Sequence, residues 1–218
     1  MTVIFDLDGT LLNTIADLGE ACNYALTVCG LPVHHPDEYP RLVGNGVRKL
    51  IERALPEDQR NEDTIDRVVQ PFVAYYDKHN FCHTQPYEGI PELLTELRKR
   101  GCRTAVASNK YHAATQAIVR HFFPDMFDAV FGEREGVERK PHPQIVLDIL
   151  TQIETKYGST STPDILYVGD SLVDRDTAKN AGIPFVACSW GFVPLDTLLA
   201  AGVDRIIDSP EQLLSFLP

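Results

Sequence analysis

Asp6-Leu7-Asp8-Gly9-Thr10 places two carboxylates two positions apart at the end of a short apolar run, Val3-Ile4-Phe5. On an extended chain, side chains two apart point the same way, so Asp6 and Asp8 can face one pocket. Two carboxylates this close do not both stay ionised comfortably without a cation. Either a metal neutralises one, or one keeps a proton and acts as an acid. Gly9 lets the backbone pass close to a ligand, and the Thr10 hydroxyl can hydrogen-bond the neighbouring carboxylate. An Asp-Gly turn with incidental acids is the plainer account of the same residues.

Three further groups could complete such a site. Gly169-Asp170-Ser171 ends a second apolar run at 165–168, and Asp174 follows Asp170 by four positions. On a helix that spacing shares a face, although acids near a helix N-terminus also suit the dipole without further purpose. Two acidic clusters at strand ends of one sheet make a carboxylate–oxygen site suited to Mg2+, drawn from Asp6, Asp8, Asp170 and Asp174. Ser108-Asn109-Lys110 follows the run at 104–107. A hydroxyl and backbone amides at a strand-to-helix turn bind anions well, and Ser or Asn there can equally be an ordinary helix cap. Lys140 precedes Pro141, which disfavours helical geometry and can aim the side chain inward as a point charge for phosphate. A lone lysine otherwise ends in solvent.

The elements that must position these residues alternate along the chain. Apolar runs at 3–5, 104–107, 129–131, 165–168, 185–187 and 205–207 read as buried strands. Between them lie amphipathic stretches. Ile145, Val146, Ile149, Leu150 and Ile153 share a face of a helix that Pro141 could open, and Ala113, Ala114, Ala117 and Ile118 form a core-facing stripe after the second run. This alternation predicts an α/β fold, a doubly wound parallel (Rossmann-like) sheet covered on both faces. From 14 to 80 the rhythm changes to helix throughout. Ile15, Leu18, Cys22, Ala25, Leu26 and Cys29 form one stripe, residues 42–55 suggest a second helix ended by Pro56, and a third runs from near Asp58 towards His79. The expected organisation is a core of residues 1–13 and 81–218 with an inserted all-helical cap at 14–80. Ligands of open parallel sheets bind beyond the carboxyl ends of the strands, so a module inserted there would act as a lid.

Composition narrows the function classes. The chain of 218 residues is 44% hydrophobic, enough for a sizeable core. Its formal net charge of -11 disfavours nucleic acid and anionic membranes as partners. A small phosphate ester is compatible only if local cations overcome that field. Five cysteines without a CxxC pair read as reduced, mostly buried thiols. The N-terminus carries no signal-like run and no stretch approaches a membrane span, so a cytoplasmic location is the expectation. Trp190-Gly191-Phe192 reads as loop packing, and the chain as a monomer or homodimer.

The segments FDLDGTLLNT, SNK, ERKPHP and GDSLVDRDTAKNAG together resemble the haloacid dehalogenase superfamily in its phosphatase branch. LVGNGVRKLIERAL, PYEGIPELL and SPEQLL are similar to the phosphoglycolate phosphatase group. Asn13 stands where that first motif commonly has Asp. The resemblance implies that Asp6 attacks phosphorus to form an aspartyl-phosphate, and that Asp8 protonates the leaving oxygen and later activates water. It implies Mg2+ held by the Asp6 and Asp170 carboxylates and the Asp8 main-chain carbonyl, with Asp174 supporting the metal or orienting Lys140. Thr10 would orient Asp8, Ser108 and Asn109 would hold phosphoryl oxygens, and Lys140 would neutralise charge. The implied reaction is hydrolysis of 2-phosphoglycolate. Pyrophosphatase, sugar-phosphate phosphatase, phosphomutase and non-catalytic binding roles are the alternatives. Arg48, in the helical segment, could fork onto a substrate carboxylate or be a solvated helix arginine.

Overall fold

The computed structural model describes residues 1–158 and 164–217. The chain divides into two compact units, Met1–Leu12 with Pro86–Pro218, and Asn13–Gln85. The two-residue strands β2 (Leu12–Asn13) and β3 (Gln85–Pro86) pair where the chain leaves and rejoins the first unit.

That first unit is built on six parallel strands: β1 (Thr2–Phe5), β4 (Arg103–Tyr111), β5 (Ala129–Glu133), β6 (Ile165–Gly169), β7 (Phe185–Cys188) and β8 (Ile206–Ile207). Their order is β5-β4-β1-β6-β7-β8. β1 is buried throughout and lies between β4 and β6, with Phe5 opposite both Val106 and Val168. The strand order reverses at β1, so the carboxyl ends of β1, β4 and β6 flank the switch point where such sheets bind ligands.

All six apolar runs form strands, but β4 extends beyond its run. It takes in Ser108, Asn109 and Lys110, with a register shift against β5 between Ala107 and Tyr111. These three residues therefore lie in an irregular strand rather than at a strand-to-helix turn. The following helix α6 begins only at His112.

The connecting helices are α5 (Ile90–Lys99), α6 (His112–Phe122), α7 (Gln144–Tyr157), α8 (Leu172–Asn180) and α9 (Leu195–Ala200). Ile145, Val146, Ile149 and Ile153 of α7 pack on Ile4, Ala105, Ala107, Ala129 and Tyr167 of the sheet, with Ala178 of α8. Each such isoleucine stabilises the fold by about 1.5–3 kcal/mol. Pro143, not Pro141, caps α7. The buried face of α6 is Ala114, Thr115, Ile118 and Val119, while Ala113 and Ala117 are exposed. The alanine stripe thus misplaces the core face, which the larger Ile118 and Val119 define.

The second unit holds α1 (Ile15–Val28), α2 (Tyr39–Leu42), α3 (Gly46–Ala54) and α4 (Glu62–His79). The helix expected over 42–55 is interrupted because Gly44 and Asn45 take left-handed φ values of 109° and 65°, which an α-helix does not tolerate. Tyr24 and Tyr75 stack at 4.3 Å between α1 and α4. Buried Asp17 accepts from the His83 and Thr84 backbone amides, each at 2.9 Å, and from the Thr84 hydroxyl at 2.7 Å. These bonds tie residues 83–84 to α1, which is why the unit runs to Gln85 rather than ending near Phe81.

All five thiols are free, but only Cys22 and Cys188 are buried and Cys82 is exposed, so the mostly-buried expectation fails. Among the described residues no helix is long and apolar enough to cross a membrane.

Candidate active site

β1 delivers Asp6 directly to the switch point. Its backbone N–H donates to Val168 O at 2.9 Å, and its carboxylate Oδ1 accepts from the Leu7 N–H at 2.7 Å. The chain then turns through Gly9, whose φ is 85°. A Cβ on Gly9 would lie 2.4 Å from Asp170 Oδ2, so both conformation and space demand glycine. The turn brings the Thr10 hydroxyl to Asp170 Oδ1, to which it donates at 3.2 Å. The left-handed turn at Gly9 thus carries the Thr10 hydroxyl across to the acid that follows β6.

Asp170 is 2% exposed and follows β6. Its Oδ2 accepts the Phe192 N–H at 2.8 Å. A Cβ on Gly191 would fall 2.1 Å from Asp170 Cβ, so the loop after β7 closes tightly over this carboxylate. The single tryptophan, Trp190, donates its indole N–H to Thr10 O at 3.0 Å. Trp190-Gly191-Phe192 is thus a clamp on the site. Its sequence signal was only a glycine between two aromatic residues.

Asp174 reaches the cluster by another route than a shared helix face. Asp170 precedes Ser171, the N-cap of α8, so only Asp174 is helical. Ser171 and Asp174 form a capping box, with the Ser171 N–H on Asp174 Oδ2 at 3.1 Å and the Asp174 N–H on Ser171 Oγ at 3.3 Å. The spacing S-x-x-D was the available signal for Ser171. Oxygens of Asp6, Asp170 and Asp174 lie within 4.8 Å of one another.

Lys140 sits among them. Its ammonium donates to Asp174 Oδ1 at 2.8 Å, Asp6 Oδ1 at 2.9 Å, Ala107 O at 2.9 Å and the Tyr167 hydroxyl at 3.2 Å. The Asn109 amide holds the Lys140 backbone reciprocally, accepting from its N–H at 2.9 Å and donating to its C=O at 3.1 Å. Asn109 thereby positions the Lys140 backbone, with one of its two amide N–H groups used on the Lys140 carbonyl. Ser108 Oγ accepts from the Lys110 N–H at 3.1 Å. Tyr167 was hidden in sequence as one more aromatic residue of a buried strand.

Asp8 stands apart from the three clustered acids. Its Oδ2 pairs with Lys110 Nζ at 3.1 Å. Asp8 is not one of the three acids whose oxygens lie within 4.8 Å of one another. Arg48 belongs to the helical unit, where Glu62 and Asp66 both bind its guanidinium.

Charge crowding dominates the electrostatics. Burial foremost, then Asp174, pushes Asp6 well above the usual aspartate range, against the opposing pull of Lys140. Burial and Asp174 likewise raise Asp170 to about 7, resisted by the Phe192 N–H, Thr10 and Lys140. Burial opposes charge on Lys140, yet Asp174 and Asp6 hold it well above its ordinary value. Three carboxylates around one ammonium leave excess negative charge, which moves Asp6, Asp170 and Lys140 upward together. Such a hard-oxygen set fits a small divalent cation such as Mg2+.

A family model described as haloacid dehalogenase-like hydrolase matches residues 3–188. A phosphoglycolate phosphatase from Mesorhizobium japonicum is 34% identical over 193 residues, covering 87% of this chain and 83% of that one. One from Aquifex aeolicus is 30% identical over 216 residues, covering 99% and 95%. The structure of a haloacid dehalogenase-like family hydrolase from Streptococcus pneumoniae superposes with a TM-score of 0.81 at 23% identity, covering 99% and 97%, and shares the fold.

Proposed function

The chain belongs to the haloacid dehalogenase-like hydrolase family, and we propose that this phosphoric monoester hydrolase acts on 2-phosphoglycolate through an aspartyl-phosphate on Asp6, with Mg2+ as cofactor. The observation that carries the mechanism is the placement of Asp6 at the switch point with its Oδ1 2.9 Å from the buried Lys140 ammonium. That ammonium favours the ionised carboxylate a nucleophile needs.

Asp6 and Asp170 are the residues to hold Mg2+ through their side chains, with the Asp8 carbonyl as a further oxygen. Asp174 has Ser171 on one oxygen and Lys140 on the other, which suits it to orienting Lys140. When bound, Mg2+ supplies positive charge against the crowded carboxylates and the phosphoryl oxygens. The protein's own groups perform the rest. An Asp6 oxygen attacks phosphorus as the ester oxygen leaves, and Asp8 gives that oxygen a proton. Asp8 then takes a proton from the water that cleaves the acyl-phosphate, which returns Asp6 as a carboxylate. Lys140 stays protonated and balances the charge on Asp6 and the phosphoryl group. The substrate reading is supported by the names of the two bacterial relatives.

Phosphate release from a panel of monoesters and pyrophosphate, with Mg2+ and with chelator, tests the reading. Metal-dependent turnover highest on 2-phosphoglycolate and absent in Asp6→Asn is the expected result. Turnover in Asp6→Asn near that of the wild type would end the nucleophile assignment. A maximum on another ester would overturn the substrate alone.

A further inference from the structure

We propose that Lys110 is the specificity-determining cation for the leaving group, recognising the carboxylate of the alcohol that departs towards Asp8. This rests on the carboxylated substrate proposed above and names the residue that selects it.

Lys110 is 7% exposed, an uncommon fate for a lysine. Its placement is built into the fold. The register shift between Ala107 and Tyr111 re-aims this stretch of β4, as bulges beside active sites do. The backbone is then pinned on both sides. The Lys110 N–H donates to Ser108 Oγ at 3.1 Å, and the Lys110 carbonyl accepts from Thr115 Oγ1 at 3.1 Å. Gly132 of β5 leaves room for that carbonyl, since a Cβ there would lie 2.4 Å from it. So held, the ammonium stands 3.1 Å from Asp8 Oδ2.

That position is on the leaving-group side. Proton transfer requires the ester oxygen to come within about 2.6–3.2 Å of the Asp8 carboxylate. In phosphoglycolate the carboxylate hangs one methylene from that oxygen, so it arrives beside Asp8 and within reach of Lys110. An ammonium carries three donors and can bridge two carboxylates. Two other cations are engaged by the chain's own groups. Lys140 is bound by Asp6, Asp174, Ala107 O and the Tyr167 hydroxyl, and the Arg48 guanidinium by Glu62 and Asp66. On a chain of net charge -11, a second anionic group on the substrate requires its own buried cation.

The test compares two esters that differ only in the leaving group's charge: 2-phosphoglycolate and 2-hydroxyethyl phosphate. Wild type, Lys110→Met and Lys110→Arg are assayed with Mg2+ after melting curves confirm that each folds. A charge-assisted contact sets the scale at about 10- to 100-fold. The expected result is a wild-type preference for phosphoglycolate and, in Lys110→Met, a loss in kcat/KM that is greater by that factor on phosphoglycolate than on the neutral ester, the loss common to both esters reporting the pairing with Asp8. Lys110→Arg should restore part of the preference. Equal losses on both esters would overturn the inference and leave Lys110 as a support for Asp8 alone. A preference that survives in Lys110→Met would also overturn it, with the substrate reading intact. A wild type indifferent to the carboxylate, or inactive on both esters, would sink the substrate reading and this inference together.

Discussion

Asp170 is held in the charged cluster at a cost that a melting curve can read. Its carboxylate is 2% exposed, and burial, then Asp174, moves it from the ordinary 3.8 to about 7. An acid raised in the folded state stabilises the fold fully below its unfolded value and loses that contribution as pH climbs through the folded value. The window therefore runs from 3.8 to about 7. At 1.36 kcal/mol per tenfold in proton affinity the whole rise is about 4 kcal/mol, of which about 2–3 kcal/mol is lost between pH 5 and pH 8. For a chain of this size 1 kcal/mol moves Tm by about 2–4 °C, so metal-free wild type should lose about 5–10 °C across that range through this residue. Asp170→Asn keeps the shape without the titration. Its amide oxygen can accept the Phe192 N–H, while the Thr10 hydroxyl can turn to accept from the amide nitrogen. Melting in chelator from pH 5 to pH 8 should show the variant losing less, with the gap closing at low pH. Adding Mg2+ at pH 8 to about 100 times its Kd should raise the wild type by about 2.7 kcal/mol and the variant much less. Parallel curves for the two proteins in chelator would refute the charge-crowding account of Asp170.

Three other perturbations follow from the geometry. Asp8→Asn should lower kcat on alkyl phosphates by about 10²–10⁴-fold and less on an aryl phosphate that leaves without help; undiminished alkyl turnover would remove its proton-transfer role. Gly191→Ala forces a Cβ to 2.1 Å from Asp170 Cβ, so stability should fall by about 1–3 kcal/mol and Mg2+ affinity, measured by calorimetry, by tenfold or more. Unchanged affinity would show that the loop does not hold the carboxylate. Arg48→Met should cost less than about 1 kcal/mol, as exposed ion pairs do, and leave the ranking of substrates as it was; a loss confined to carboxylated esters would return Arg48 to the specificity role.

The strands and their end-of-strand acids were legible because burial writes apolar runs and each run stops where the chain turns polar. Asp6 and Asp170 were found this way, Asp174 by its four-residue spacing and Lys140 by the proline after it, and the structure brings the four together. Pairwise orientation was not legible. The two-residue alternation that put Asp6 and Asp8 in one pocket holds only within a strand, and β1 ends at Phe5. Gly9 turns the chain so that Thr10 serves Asp170. The extension of β4 past Ala107 was hidden because a register shift leaves no periodic mark, and with it went the roles of Asn109 and Lys110. Partners distant in sequence were beyond reach for the same reason. Nothing local in Phe192 announces that its N–H is needed at Asp170, 22 residues away.

The two lysines explain how so acidic a chain can hold an anionic ester. Asp6 and Asp174 share Lys140, and Asp8 has Lys110. With Asp170 counted, four carboxylates face two ammonium groups, an excess of two negative charges. One divalent cation matches that excess. Burial first, then the neighbouring Asp174, raises Asp6 and Asp170, so protons take part of the same place. Cation and protons thus compete for the same oxygens, and raising the pH favours the cation. A divalent cation held there would remove the pocket's repulsion of a phosphoryl dianion. The pairing also keeps Asp6 and Asp8 distinct. Lys140 stands with Asp6 and Asp174, while Lys110 stands with Asp8. One ammonium at each carboxylate gives Asp6 and Asp8 separate charge partners, within a motif whose acids are only two residues apart in sequence.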